Sequence, residues 1–169
     1  MNNWAQLQAE WAGRQMRFVP SPPPSTAKAR YVVVLIMHED TPPRFLIANI
    51  AGRGYCTPSG RIEPNESPEQ AARREAYEEA GAVVDELELL GYYRLQPCSP
   101  EEPDECVAPV FLTRLKRLEP LPSGSESQGV RWATISEMSA LYYQWSPLLE
   151  AIFRYACERI GEASAQRQD

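Results

Sequence analysis

Three carboxylates stand close together in the run Arg74-Glu-Ala-Tyr-Glu-Glu-Ala-Gly81: Glu75, Glu78 and Glu79. Carboxylate oxygens are hard donors that suit Mg²⁺ or Mn²⁺, and Mg²⁺ is usually held by one or two carboxylates together with substrate phosphates. For that chemistry the acids must share a face. At about 100° per residue of helix, Glu78 lies about −60° and Glu79 about +40° from Glu75, which gathers all three within one turn. Arg74 stands four residues before Glu78, at ion-pair spacing. Acids near a helix C-terminus oppose the macrodipole, and like charges at i and i+4 cost a few tenths of a kcal/mol. A divalent cation would account for such an arrangement. A solvated acidic helix face would too, and the local pattern leaves both open.

The helix that must carry these acids is bounded on both sides. Ser67 suits the N-cap, Pro68 the first helical position, and Gln70 completes a capping box. Gly81 suits the position after the last turn, so the helix runs from about Pro68 to Ala80. Before it, Tyr31-Val-Val-Val-Leu-Ile-Met37 reads as a strand buried on both faces, and Arg44–Ile50 as its hairpin partner. After it, residues 83–95, 107–118 and 129–133 read as strands, and 136–143 and 147–160 as helices. Strands and helices mix without strict alternation, which points to a mixed sheet flanked by helices. Trp4, Leu7 and Trp11 fall on one helical stripe, so residues 1–19 are expected to hold an amphipathic helix, docked on the protein's own core or on a second copy in a homodimer. A proline-rich connector (20–28), the main domain (29–161) and a frayed tail (162–169) complete the expected organisation.

Composition narrows the function. With 169 residues the chain suits one domain, and 43% hydrophobic residues exclude wholesale disorder. A net charge of −6 argues against nucleic acid as a partner. The longest apolar run, Tyr31–Met37, is far below the roughly 20 residues that span a bilayer, so no membrane partner is expected. One histidine, His38, and cysteines at 56, 98, 106 and 157 without a CxxC pair speak against a Cys/His zinc site. The same cysteines read as reduced thiols of a cytoplasmic protein. No Ser/His/Asp triad is built from one histidine without a nucleophile elbow.

The spacing from Gly60 to Ala82 carries more information. Gly60, Glu66, Arg74, Glu75, Glu78, Glu79 and Gly81 stand where the Nudix box has its glycines and charges, and the segment resembles that of the Nudix hydrolase family. Two aliphatic box positions hold the smaller Ala76 and Ala82, and Ser59 stands where many members have glycine. The resemblance implies an α/β/α sandwich around a mixed sheet. It implies a Mg²⁺- or Mn²⁺-dependent pyrophosphohydrolase that cleaves a nucleoside diphosphate linked to a further group X. By the same resemblance Glu78 and Glu79 are metal ligands, and Glu75 is a ligand or the base that orients water. Arg74 holds the glutamates in place, and the Ser59 carbonyl is a further ligand. Gly60 lets the loop turn, and Glu66 supports the loop, an additional metal or the substrate. An acidic protein can handle such a polyanion because metal ions reverse the repulsion. The alternative is a Nudix module that binds a nucleotide, or regulates, without turnover.

Members often recruit one more acid from outside the box. Among Glu101, Glu102, Asp104 and Glu105, the last is expected to serve, because it opens a strand. Tyr55, Tyr92, Tyr93 and Trp132 could stack on a base, with Tyr93 and Trp132 as the chosen substrate contacts. Tyr93–Ser99, with Pro97 fifteen residues beyond the box, weakly resembles ADP-ribose pyrophosphatases. Nucleoside triphosphates and dinucleoside polyphosphates stay open as substrates.

Overall fold

The computed structural model describes residues 2–21 and 28–166. Ten strands form one mixed sheet: β1 (Ala9–Trp11), β2 (Arg14–Pro20), β3 (Tyr31–His38), β4 (Arg44–Ile50), β5 (Gly54–Cys56), β6 (Ser59–Arg61), β7 (Ala82–Val84), β8 (Glu88–Gln96), β9 (Cys106–Leu118) and β10 (Ser127–Thr134). Three helices accompany them, α1 (Pro68–Ala80), α2 (Ile135–Leu141) and α3 (Pro147–Gln166). The main path runs β1-β2-β8-β9-β3-β4-β10, with β5 on β4, β6 on β3 and β7 on β9. The β3–β9 pair is parallel and the other pairs are antiparallel.

The expected α/β/α layering is present, and strand alternation explains it. Successive side chains of a strand point to opposite faces. On β3, Val32, Val34 and Ile36 pack in the core beneath α1, whereas Leu35 and Met37 join the core beneath α3. On β4, Leu46 belongs to the first core and Phe45 and Ile47 to the second. Phe45 meets Phe153 of α3 at a centroid distance of 4.7 Å, edge to face. Helix α1 presents Ala71, Ala72, Ala76 and Ala80 to the sheet, all essentially without solvent contact. Short side chains let the helix lie close to the strands, so the small residues at 76 and 82 are the packing surface itself.

The α1 boundaries follow the capping argument. Ser67 Oγ accepts from Gln70 N–H at 3.1 Å, and Gln70 Oε1 accepts from Ser67 N–H at 2.9 Å. Gly81 adopts φ 64°, and a β-carbon there would meet the Glu119 carbonyl at 2.1 Å. No basic residue occupies the last turn, so no cation of that turn offsets the carboxylates there.

Three expectations fail. Residues 2–17 form a short 3₁₀ turn (Trp4–Gln6) and the β1–β2 hairpin, not a helix. Ala12 and Gly13 both take positive φ, 49° and 76°, the conformation of a two-residue hairpin turn. Met16 and Phe18 are buried while Gln15 and Arg17 are exposed, a period of two that the Trp4/Leu7/Trp11 stripe obscured. Trp4 packs on Phe18 and Tyr155 of its own chain, at 4.8 and 5.6 Å, which removes the helix on which the homodimer contact rested. The tail is not frayed from residue 162, because α3 continues to Gln166. Residues 22–27 of the connector and 167–169 of the tail lie outside the described residues. Finally, the four thiols are not all reduced: Cys98 and Cys106 form a disulfide, while Cys56 and Cys157 are free. The thiol argument for a cytoplasmic compartment therefore falls away. Among the described residues no helix is long and apolar enough to cross a membrane.

Candidate functional site

Arg74 is the hub of the acidic cluster. Its Nε and Nη2 donate to Glu66 at 2.8 and 2.9 Å, its Nη1 to Glu75 Oε1 at 2.8 Å and to Glu78 Oε2 at 3.1 Å, and Nη2 also to the Arg61 carbonyl at 2.8 Å. A planar guanidinium can hold several oxygens at fixed angles, which a lysine cannot. Hydrogen bonds from Arg74 hold Glu66 below the usual carboxylate range.

The two inner acids stand in a drier place. Glu75 is 8% exposed, and burial raises its carboxyl above the ordinary value against the opposing pull of Arg74. Burial pushes the Glu79 carboxyl up to about 8; the hydrogen bond from Ser59 N–H opposes the rise and the nearby charge of Glu75 adds to it. Ser59 N–H reaches Glu79 Oε1 at 3.1 Å, which leaves Glu79 Oε2 buried with no hydrogen-bond partner among the described residues. A buried orphan oxygen is costly unless something pairs with it. Glu78 is exposed at the mouth.

Gly60 has a different task from the turn expected of it. It lies in β6 with an ordinary backbone, and a β-carbon there would stand 2.0 Å from Glu75 Oε1. The missing side chain is the space in which the Glu75 carboxylate sits.

Glu75, Glu78 and Glu79 line one cleft of about 680 Å³, together with Arg53 and, from the far wall, Glu126. Glu126 is the acid that sequence reasoning missed. It is the single acid in the Ser/Gly/Pro loop 120–129, and nothing local marks it. The loop is fastened over α1 by Ser125 Oγ, which donates to the Glu78 carbonyl at 2.6 Å, and the Glu126 carbonyl accepts from Ala51 N–H at 2.9 Å.

The donor set fits a hard divalent cation, although among the described residues no three acids converge into a finished cage. Arg74 occupies one oxygen each of Glu75 and Glu78. The oxygen left bare, Glu79 Oε2, is the one a cation would satisfy.

A second cleft, of about 330 Å³, adjoins the first, and Arg53, Ser59 and Gly60 line both. Its floor includes Tyr93, which is buried and whose phenol burial holds well above its ordinary pKa. Tyr142 closes one side, its hydroxyl bonded to Thr57 N–H and Oγ1 at 3.1 and 3.0 Å.

Three of the expected contacts lie elsewhere. Glu105 forms an exposed ion pair with Arg94 at 2.8 Å and lines neither cleft, because β9 enters the sheet away from α1's C-terminus. Trp132 packs edge-on to His38 at 5.7 Å with Arg44 over its ring, also outside both clefts. Glu66 has both oxygens on Arg74 and lines neither cleft.

A family model described as NUDIX domain matches residues 27–154. A Bacillus subtilis (strain 168) protein named "Putative 8-oxo-dGTP diphosphatase YtkD" is 44% identical over 52 residues, 31% of this chain and 33% of that protein. The matched stretch thus spans about a third of that relative's length. Among solved structures, a mutant of the Bacillus subtilis pyrophosphohydrolase BsRppH superposes with a TM-score of 0.71 at 21% identity, over 94% of this chain and 98% of that one. The NUDIX domain of Shewanella oneidensis NrtR, complexed with ADP ribose, gives a TM-score of 0.61 at 17% identity, over 80% and 90%. At these identities the two superpositions show a shared fold.

Proposed function

This chain belongs to the Nudix family, and on that premise we propose that it is a Mg²⁺- or Mn²⁺-dependent hydrolase that cleaves the phosphoanhydride of a small nucleotide, a nucleoside diphosphate linked to a further group. The single observation that carries the reading is the buried, partnerless Glu79 Oε2 at the wall of a cleft that also holds Glu75, Glu78 and Glu126. When bound, a divalent cation would neutralise the phosphate charge and polarise the phosphoryl oxygens. Glu78, Glu79 and the Ser59 carbonyl are the groups to hold it, with Glu126 in place of Glu105 as the acid from outside the box.

Water adds to one phosphorus and the bridging P–O bond breaks, giving a nucleoside monophosphate and phosphorylated X. The proton released by water needs a base. Glu75 suits this better than Glu78, because burial raises its proton affinity while Glu78 stays in solvent. Arg74 aims the glutamates and Glu66 aims Arg74. Arg53, which lines both clefts, faces the phosphates from the opposite sign of charge.

The test is a panel of nucleoside triphosphates (oxidised ones included), ADP-ribose and dinucleoside polyphosphates, assayed with Mg²⁺ and Mn²⁺ for released phosphate products. At least one should be cleaved, chelator should abolish cleavage, and Glu79→Gln should lower kcat by roughly 10²–10³, the usual scale for removing one electrostatic stabiliser. Turnover by Glu79→Gln at the parent rate would overturn the reading.

A further inference from the structure

We infer that the N-terminal hairpin supplies the base-recognition wall of the substrate site. Its Trp11 and Arg14, stacked with Tyr31, receive a nucleobase, while Arg53 and Arg61 at the rim take phosphate oxygens. The inference rests on the reading above that the carboxylate cleft handles the phosphates of a nucleotide.

Five side chains alternate along this wall. The Arg14 guanidinium lies 5.4 Å from the Trp11 ring centre and 5.3 Å from that of Tyr31. Arg53 stands 5.8 Å over the other partner of the stack, Trp11, and Arg61 stands 5.9 Å over Tyr31. Arg14 is fixed from behind: its Nε donates to the Cys98 carbonyl at 2.8 Å, and the Tyr31 hydroxyl reaches the same oxygen at 3.3 Å. Cys98 is in turn tied to Cys106. The wall is therefore built before any ligand arrives, which lowers the ordering cost of binding.

The charges are unusual for this protein. Nine arginines elsewhere pair with carboxylates. Among the described residues Arg14, Arg17, Arg53, Arg61 and Arg73 have no carboxylate partner, and three of these five, Arg14, Arg53 and Arg61, line the smaller cleft of a chain whose net charge is −6. Guanidinium and aromatic planes are the surfaces on which bases stack, and free guanidiniums bind phosphates. The floor beneath, with Met16, Leu95, Ala108 and Leu149, is apolar. A flat ring with an anionic tail meets all of these demands, and its tail leaves through Arg53, Ser59 and Gly60 into the carboxylate cleft. A volume of about 330 Å³ lies within the range of small-molecule sites. The family match begins at residue 27, so Trp11 and Arg14 lie outside it while the carboxylates lie inside. Recognition and chemistry thus come from different parts of the chain.

The test uses the full chain with Ca²⁺ in place of Mg²⁺ to slow turnover. Calorimetric titrations with ATP, GTP and ADP-ribose are set against inorganic tripolyphosphate, which has no base. Trp11→Ala should weaken every base-bearing probe that the parent binds by at least tenfold and leave tripolyphosphate unchanged. Trp11→Phe should restore most of the loss, and Arg53→Gln should weaken both kinds of probe. Arg14→Gln, which keeps both rings, gives the same comparison if Trp11→Ala fails to fold. Equal affinity of the parent and these hairpin variants for the base-bearing probes overturns the inference, as does a parent that binds none of them or binds tripolyphosphate equally well. Turnover is scored apart: a parent that binds through Trp11 yet releases no product sinks the hydrolase reading and keeps this one.

Discussion

The Glu75 carboxylate occupies the space where a side chain of Gly60 would begin: a β-carbon on Gly60 would lie 2.0 Å from Glu75 Oε1. Strand β6 and helix α1 are therefore in contact through the absence of one atom. Gly60→Ala should displace the carboxylate and lower kcat to about the level of Glu75→Gln. The double variant should be no slower than either single one, because both act on the same group. Steady-state kinetics on the four proteins decide it. Full additivity of the two losses would mean that Gly60 does not act through Glu75.

Arg74 ties together Glu66, Glu75, Glu78 and the Arg61 carbonyl. Its side chain is half-buried, and replacement by lysine leaves the buried Glu75 carboxylate without its guanidinium donor. Arg74→Lys should cost roughly 1–3 kcal/mol of unfolding free energy, the range for leaving a buried partner unsatisfied. Urea denaturation of chelated protein measures it. An unchanged midpoint would mean that the lysine makes the same contacts.

Glu79 gives the stability of the chelated protein a pH dependence of definite sign. Its carboxyl is pushed up to about 8 from the ordinary 4.5, mainly by burial. A folded-state pKa above the unfolded one means that the folded protein holds the proton more tightly. The group's contribution is then fully present below the ordinary value and is lost as pH rises toward about 8. Chelated parent should melt at a lower temperature at the alkaline end of that window than at the acid end, and Glu79→Gln should flatten the difference. Saturating Mg²⁺ should reverse the slope, because a cation favours the charged carboxylate. Parallel melting curves for the parent and Glu79→Gln across the window would show that Glu79 is not the titrating group.

Legibility in the sequence followed the range of the interactions. Helix α1 and its face of acids were readable because Ser67, Gln70 and Gly81 act within one turn of the residues they cap. The layering was readable because β3 is a continuous apolar run from Tyr31 to Met37 and β4 is largely apolar beside it. The hairpin was not, because Trp4, Leu7 and Trp11 satisfy a helical spacing while the decisive residues, Ala12 and Gly13, make a turn only in the context of β8 pairing with β2. The task of Gly60 was hidden too, since it depends on a residue 15 positions away that only the packing of α1 on β6 brings near.

The same distance problem governs the acid from outside the box. Glu105 stands directly before strand β9 and looked well fixed, but its oxygen is committed to Arg94 at 2.8 Å. Glu126 sits in a loop, yet that loop is fastened at two adjacent residues, by Ser125 on the Glu78 carbonyl and by the Glu126 carbonyl on Ala51 N–H. Glu126 lines the same cleft as Glu75, Glu78 and Glu79. Glu126→Gln should therefore lower kcat by at least about tenfold at saturating substrate and raise the Mg²⁺ concentration needed for half-maximal rate, in line with the loss of one group acting on the transferred phosphoryl. Glu105→Gln should stay within about twofold of the parent, since an exposed ion pair contributes little. Magnesium titrations of both variants on one substrate separate the two acids. If Glu105→Gln shifts the magnesium requirement and Glu126→Gln does not, the loop acid has no part in the site and the strand acid must reach it by a movement of β9.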